Sequence, residues 1–181
     1  MDVRRMLGVA LVSMIGLAGA AGCAGGESAA AAPPDPAARP LAATTTQAQA
    51  LTVTDPWLKT THGKGGMTAA FATLVNSGNT DITVVSAVTL AAPKAELHES
   101  VQEGGSMVMR AKQGGFSVPA KGTLTLEPGG NHIMLLDVEK PVKAGDEVRF
   151  TLKLQDGSVK EFTALGKDFA GANESYRPGG H

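Results

Sequence analysis

From Leu51 onward the chain is a succession of short apolar runs separated by Gly, Pro, Asn and Asp. The runs cover residues 69–75, 82–90, 95–101, 107–111, 122–126, 132–138, 147–154 and 158–165. Strict alternation marks Thr123-Leu124-Thr125-Leu126 and the stretch from Val148 to Leu154. A period of two buries one face of a strand. Turn signals lie between the runs, at Asn76-Ser77-Gly78-Asn79, Gly104-Gly105, Pro128-Gly129-Gly130 and Asp156-Gly157. Many short strands at this spacing predict an all-β sandwich or barrel over residues 51–168. Asp156-Gly157 predicts a hairpin with a type I′ turn. No long helix-period stretch and no internal repeat is present.

The same alternation places chemistry. In a strand, His132 and Met134 face one side while Ile133 and Leu135 face the other. Around Gly104-Gly105, two hairpin registers are open. With those glycines as the loop, Met109 pairs with Ser100; with Glu103-Gly104 as the loop, Met109 pairs with His98. Directly paired residues share a face, so either register puts His98 and Ser100 on the face of Met107 and Met109. Two strand segments thus each present a His and Met set. If they meet, the donors are two imidazoles and two thioethers. Thioethers are soft and favour Cu(I), and imidazole suits copper too. Zinc favours Cys, His or carboxylate in a closed tetrahedron, and a blue-copper site needs a cysteine. The one cysteine, Cys23, lies far outside the predicted domain. Each of these residues taken singly is ordinary core material or a solvated surface group. It is the conjunction that points to a metal. Met67 opens an apolar run and is expected in the core. His62 is expected to be solvated, and His181 to lie in a disordered tail over 169–181.

Ahead of the domain, residues 1–22 carry Arg4 and Arg5, an uncharged apolar run from Met6 to Leu17, and small residues up to Cys23. This is the secretory signal pattern, and the run is short for a membrane span. Ala20-Ala21-Gly22-Cys23 resembles a bacterial lipobox, which implies acylation of Cys23. Residues 23–50, rich in Ala, Pro and Thr, read as a flexible tether. Losing Arg4, Arg5 and Asp2 with the signal takes the formal net charge from −1 to −2. No basic stripe suggests nucleic-acid binding.

Beyond these readings, the stretch from Asp55-Pro56-Trp57 to about Phe162 resembles the periplasmic copper chaperones of the PCuAC type. The resemblance is carried by Glu96-Leu97-His98-Glu99, Met107-Val108-Met109-Arg110, Gly114-Gly115, Val118-Pro119-Ala120, Leu126-Glu127-Pro128-Gly129-Gly130 and His132-Ile133-Met134-Leu135. Ten residues separate His98 from Met109, and 22 separate Met109 from His132. The resemblance implies a cupredoxin-like Greek-key β-sandwich with an exposed Cu(I) site. Its ligands would be His98, Met109, His132 and Met134, with Met107 auxiliary. It also implies delivery of copper to the binuclear copper centre of cytochrome c oxidase, so the expected partner is an oxidase subunit or another copper carrier. A lipid anchor would hold the protein at the outer face of the cell membrane. The alternatives are a copper buffering or resistance protein and a metal-free interaction lipoprotein. An enzyme is not expected, since no nucleophile elbow, paired-carboxylate site or phosphate-binding glycine loop is evident.

Overall fold

The period-two pattern becomes strands. The computed structural model describes residues 45–62, 66–171 and 175–176. Its elements are α1 (Gln47–Ala50), β1 (Leu51–Lys59), β2 (Gly66–Asn76), β3 (Ile82–Thr89), β4 (Lys94–Glu103), β5 (Ser106–Ala111), β6 (Phe116–Val118), β7 (Thr123–Leu126), β8 (Asn131–Val138), β9 (Glu147–Leu154), β10 (Val159–Lys167) and β11 (Ser175–Tyr176). Each of the eight apolar runs overlaps one of β2–β5 or β7–β10. The order β11-β5-β4-β8-β7-β2-β1-β10-β9-β3-β6 makes one continuous sheet, with β8 also pairing β2. Leu58, Leu74, Ile133 and Leu135 from one half pack with Val84, Phe116, Phe150 and Leu152 from the other in a single core. This is the cupredoxin-like β-sandwich that the sequence predicts.

The unpredicted β1 contains a turn-like Asp55-Pro56. The structure uses it as a bulge. Asp55 takes φ 51°, and the register against β2 shifts between Thr54 and Trp57. One extra residue reverses which positions face inward. Leu51 is buried before the bulge and Leu58 after it. Trp57, paired with Phe71, is thereby turned to the outer face.

At both ends of the domain the folded part extends past its expected bounds. The tether expected over 23–50 ends in α1. Thr46 and Gln49 form a reciprocal capping box, which satisfies two N–H groups at the helix start. Asp156 Oδ2 accepts the Gln47 N–H at 2.8 Å, and Ser158 Oγ accepts the Ala48 N–H at 3.1 Å. These partners lie more than 100 residues away, so local propensity did not reveal them. The tail expected to be disordered from 169 is also partly built in. Phe169 stands edge-on to Trp57 at 5.4 Å, and Ser175–Tyr176 pair in parallel with Val108 and Met109 of β5. The signal segment 1–22, Cys23, the tether up to residue 44 and His181 lie outside the described residues.

The Asp156-Gly157 hairpin forms with a different turn. Gly157 has φ 83°, while Asp156 is not in the left-handed region that a type I′ turn requires at both central residues. The Asp156 carboxylate instead accepts both the N–H and the hydroxyl of Ser158.

Candidate metal centre

Two turns set the register of the strands that carry the histidines. Gly104 and Gly105, at φ 58° and 85°, form the two-residue loop joining β4 to β5, since Glu103 pairs with Ser106. Of the two registers open from the sequence, this is the one that places Met109 opposite Ser100, two pairs along from His98 and on the same face. The second turn is Pro128-Gly129-Gly130. The Gly130 carbonyl accepts the Ser100 N–H at 3.1 Å and the His132 Nδ1–H at 3.0 Å. One backbone oxygen thus ties β4 to the start of β8 and orients an imidazole.

Across β4 and β8 the pairing is antiparallel, with His98 opposite His132 and Glu96 opposite Met134. The two imidazole centroids are 5.6 Å apart, their planes inclined at 60°. Met109 and Met134 join Leu136 in a small buried cluster separate from the main core. His98, Met109, His132 and Met134 are therefore brought to one face, the outer face of the β4–β8 ladder. Leu97, Ile133 and Leu135, the alternate residues, enter the core.

The site is buried, which corrects the expectation of exposed donors. His98 is 0%, His132 2%, Met134 3% and Met109 7% exposed. The cause lies in neighbouring strands. Phe71, itself 1% exposed, has its ring 6.3 Å from His132, and Trp57 lies against Phe71 at 4.5 Å. A pocket of about 200 Å³ remains, lined by Met67, Ala69, Phe71, Met109, His132 and Met134, with Lys59, Thr68, Pro128 and Gly129. His98 is not in its lining; it is paired with His132 across the β4–β8 ladder, the ring centroids 5.6 Å apart. Met107 shares the face but pairs with Gln102, is 37% exposed and does not line the pocket. Met67, expected in the core, is 50% exposed and does line it. Its parity with Phe71 was legible in the sequence; that this parity meant the outer face was not. His62 is exposed, as expected for a loop residue.

Hydrogen bonds define which ring nitrogens carry lone pairs. A carbonyl only accepts, so His132 Nδ1 carries the proton and a neutral ring presents its lone pair at Nε2. His98 Nε2 lies 2.8 Å from Glu96 Oε2. Burial acts to raise the Glu96 pKa, but hydrogen bonds from Lys94 and His98 outweigh it and hold the carboxyl below its ordinary value. An ionised carboxylate only accepts, so His98 Nε2 carries a proton and a neutral ring presents its lone pair at Nδ1. A carbonyl and a carboxylate behind two imidazoles is the usual way metal-binding histidines are oriented. With two thioethers on the same face, the donor set is neutral and soft.

Comparison with known proteins places this geometry. The model of the LpqE-like family, "Putative lipoprotein LpqE-like", matches residues 51–165. "Putative lipoprotein Lxx21020" of Leifsonia xyli subsp. xyli is 41% identical over 131 residues, which are 72% of this chain and 78% of that one. The solution structure of apo-DR1885 from Deinococcus radiodurans superposes with a TM-score of 0.53 at 31% identity, over 81% of this chain and 97% of that one. The copper-bound PCuAC domain from PmoF2 superposes with a TM-score of 0.55 at 17% identity, over 66% of this chain and 94% of that domain, a likeness of fold. With the matched model spanning more than half of its length, the chain belongs to the LpqE-like family and has the fold of PCuAC domains.

Proposed function

We propose that this protein binds one Cu(I) through His98, Met109, His132 and Met134 and carries it, outside the cytoplasm, to an acceptor such as the binuclear copper centre of cytochrome c oxidase. The observation that carries the reading is the β4–β8 register, which sets His98 against His132 and leaves Met109 and Met134 in one buried cluster beside them. Thioethers need no deprotonation and form no disulfides, so they serve where thiols would be oxidised. The solved PCuAC domain of PmoF2 is copper-bound, which supports copper as the cargo. Export and a lipid anchor at Cys23 fit the lipoprotein names in the family.

An anaerobic Cu(I) titration of the full chain against a chromogenic chelator tests the site, beside a His132→Ala/Met134→Ala double variant. One tightly held Cu(I) per chain, weakened at least about 100-fold in the variant, is expected. Equal binding by both proteins would sink the ligand assignment. Burial of all four donors favours one second reading, a buffer that holds copper rather than delivering it. Loss of the protein would then cost growth in excess copper and leave oxidase copper at low supply unchanged.

A further inference from the structure

The pocket over the cluster has a third thioether that the His and Met spacing does not include. Met67 lies near the start of β2, where Ala69 pairs with Met134 and Ala70 with Ile133. Parity therefore places residues 67, 69 and 71 on the face of His132 and Met134. Ala69, directly opposite Met134, is small and leaves room beside that thioether. Phe71 lies at the other end of the row, beside His132. Between Gly66 and Thr68 the register against β8 shifts, and the Thr68 hydroxyl donates to the Lys59 carbonyl at 2.6 Å. The backbone on the far side of Met67 is thereby tied to the end of β1. Met67 shares the pocket with Met109, His132 and Met134. It differs from them in one respect: half of it is in solvent, while the other three are buried. A large apolar side chain held half-exposed at a pocket's mouth buries only part of its surface, so packing gives a weak account of it. Its sulfur is a soft donor like the two beneath it.

We infer that Met67 is an entry ligand: it takes the incoming Cu(I) at the pocket mouth and passes it to Met109, Met134 and the histidines, and takes it back on release. This deepens the copper-binding reading and rests on it. The step is ligand exchange. A Cu–S bond to Met67 forms as a bond to the donor outside breaks, and then opens as an inner bond forms. No electron or proton moves, because the thioether is neutral. An exposed outermost donor lets the buried ligands exchange their ion without opening the sandwich.

The test uses the full chain with ¹³C-methyl methionine and Ag(I) as a redox-inert probe, the methyl signals being assigned by single Met→Leu variants. The expected result is that the Met67 methyl shifts together with those of Met109 and Met134. In Met67→Leu, Ag(I) should still bind at one per chain, and its transfer to a competing chelator should slow roughly three- to tenfold. Leucine conserves the volume at a half-exposed position, and an unchanged methyl spectrum elsewhere would show the variant is folded. If Met109 and Met134 shift while Met67 does not, and transfer from Met67→Leu keeps its rate, the entry role is overturned and the metal site stands. If no methionine methyl shifts, the metal reading itself fails and the entry role fails with it.

Discussion

The two faces of β8 are equally buried and chemically unlike. Inward, Ile133 and Leu135 join an aliphatic and aromatic core. Outward, His132 and Met134 meet His98 and Met109, at 7% exposure or less. The inner face stabilises by removing apolar area from water and by close packing. The outer face carries imidazoles whose burial requires partners, here Glu96 and the Gly130 carbonyl, because a buried polar group without them is costly. Burial therefore does not identify the fold-determining face. What distinguishes the two is which substitutions each tolerates.

The largest separation should come from one substitution on each face, a truncation inward and a volume-conserving exchange outward. Ile133→Ala should cost about 2–5 kcal/mol in denaturant unfolding. Met134→Leu conserves volume and should cost less than about 1.5 kcal/mol, yet lose Cu(I) retention against a chelator. If the two variants unfold alike, the contrast between the faces is wrong. Next is His98→Leu, which replaces a buried polar ring with an apolar side chain. Its Cu(I) affinity should fall at least about 100-fold, while stability falls by about 1–3 kcal/mol because the Glu96 carboxylate loses its hydrogen bond from the ring. A folded variant with intact affinity would remove His98 from the site. Glu96→Gln tests the partner behind that ring. Affinity should drop about tenfold, as for other groups that orient metal-binding histidines. An unchanged affinity would mean that the His98 orientation is set by packing alone.

The smallest effect lies at the opposite end of the sandwich and should leave the site untouched. Asp156 is held below its ordinary pKa of 3.8 by hydrogen bonds, first from Ser158 and then from the Gln47 N–H. A lowered folded pKa means that the stabilisation is fully present above 3.8 and is lost as pH falls through the lower folded value. Amide exchange of Gln47 and Ala48 should therefore be protected evenly from pH 7 down to about 4 and loosen below that. Asp156→Asn should loosen the same amides at neutral pH. Copper affinity measured at pH 7 should not change in that variant.

The sequence by itself determined which residues share a strand face. Alternation sets His132 with Met134, and either hairpin register sets His98 with Met107 and Met109, because side chains in a strand repeat with period two whatever the strand pairs with. It also carried the sandwich class and eight of the strands. Tertiary structure alone decided that β4 and β8 are neighbours in a register that sets His98 against His132; strand adjacency is a non-local choice with no local signature. It alone decided that the donors are buried, since Phe71 comes from β2 and the Trp57 behind it is re-aimed by a bulge at Asp55. Met67 shows both sides at once. Its parity with Phe71 could be read from the chain, but its place at the pocket mouth follows from the Ala69–Met134 pairing. Nor could composition reveal that Gln47–Ala50 fold, because the groups that satisfy the first N–H groups of that helix come from Asp156 and Ser158, more than 100 residues away.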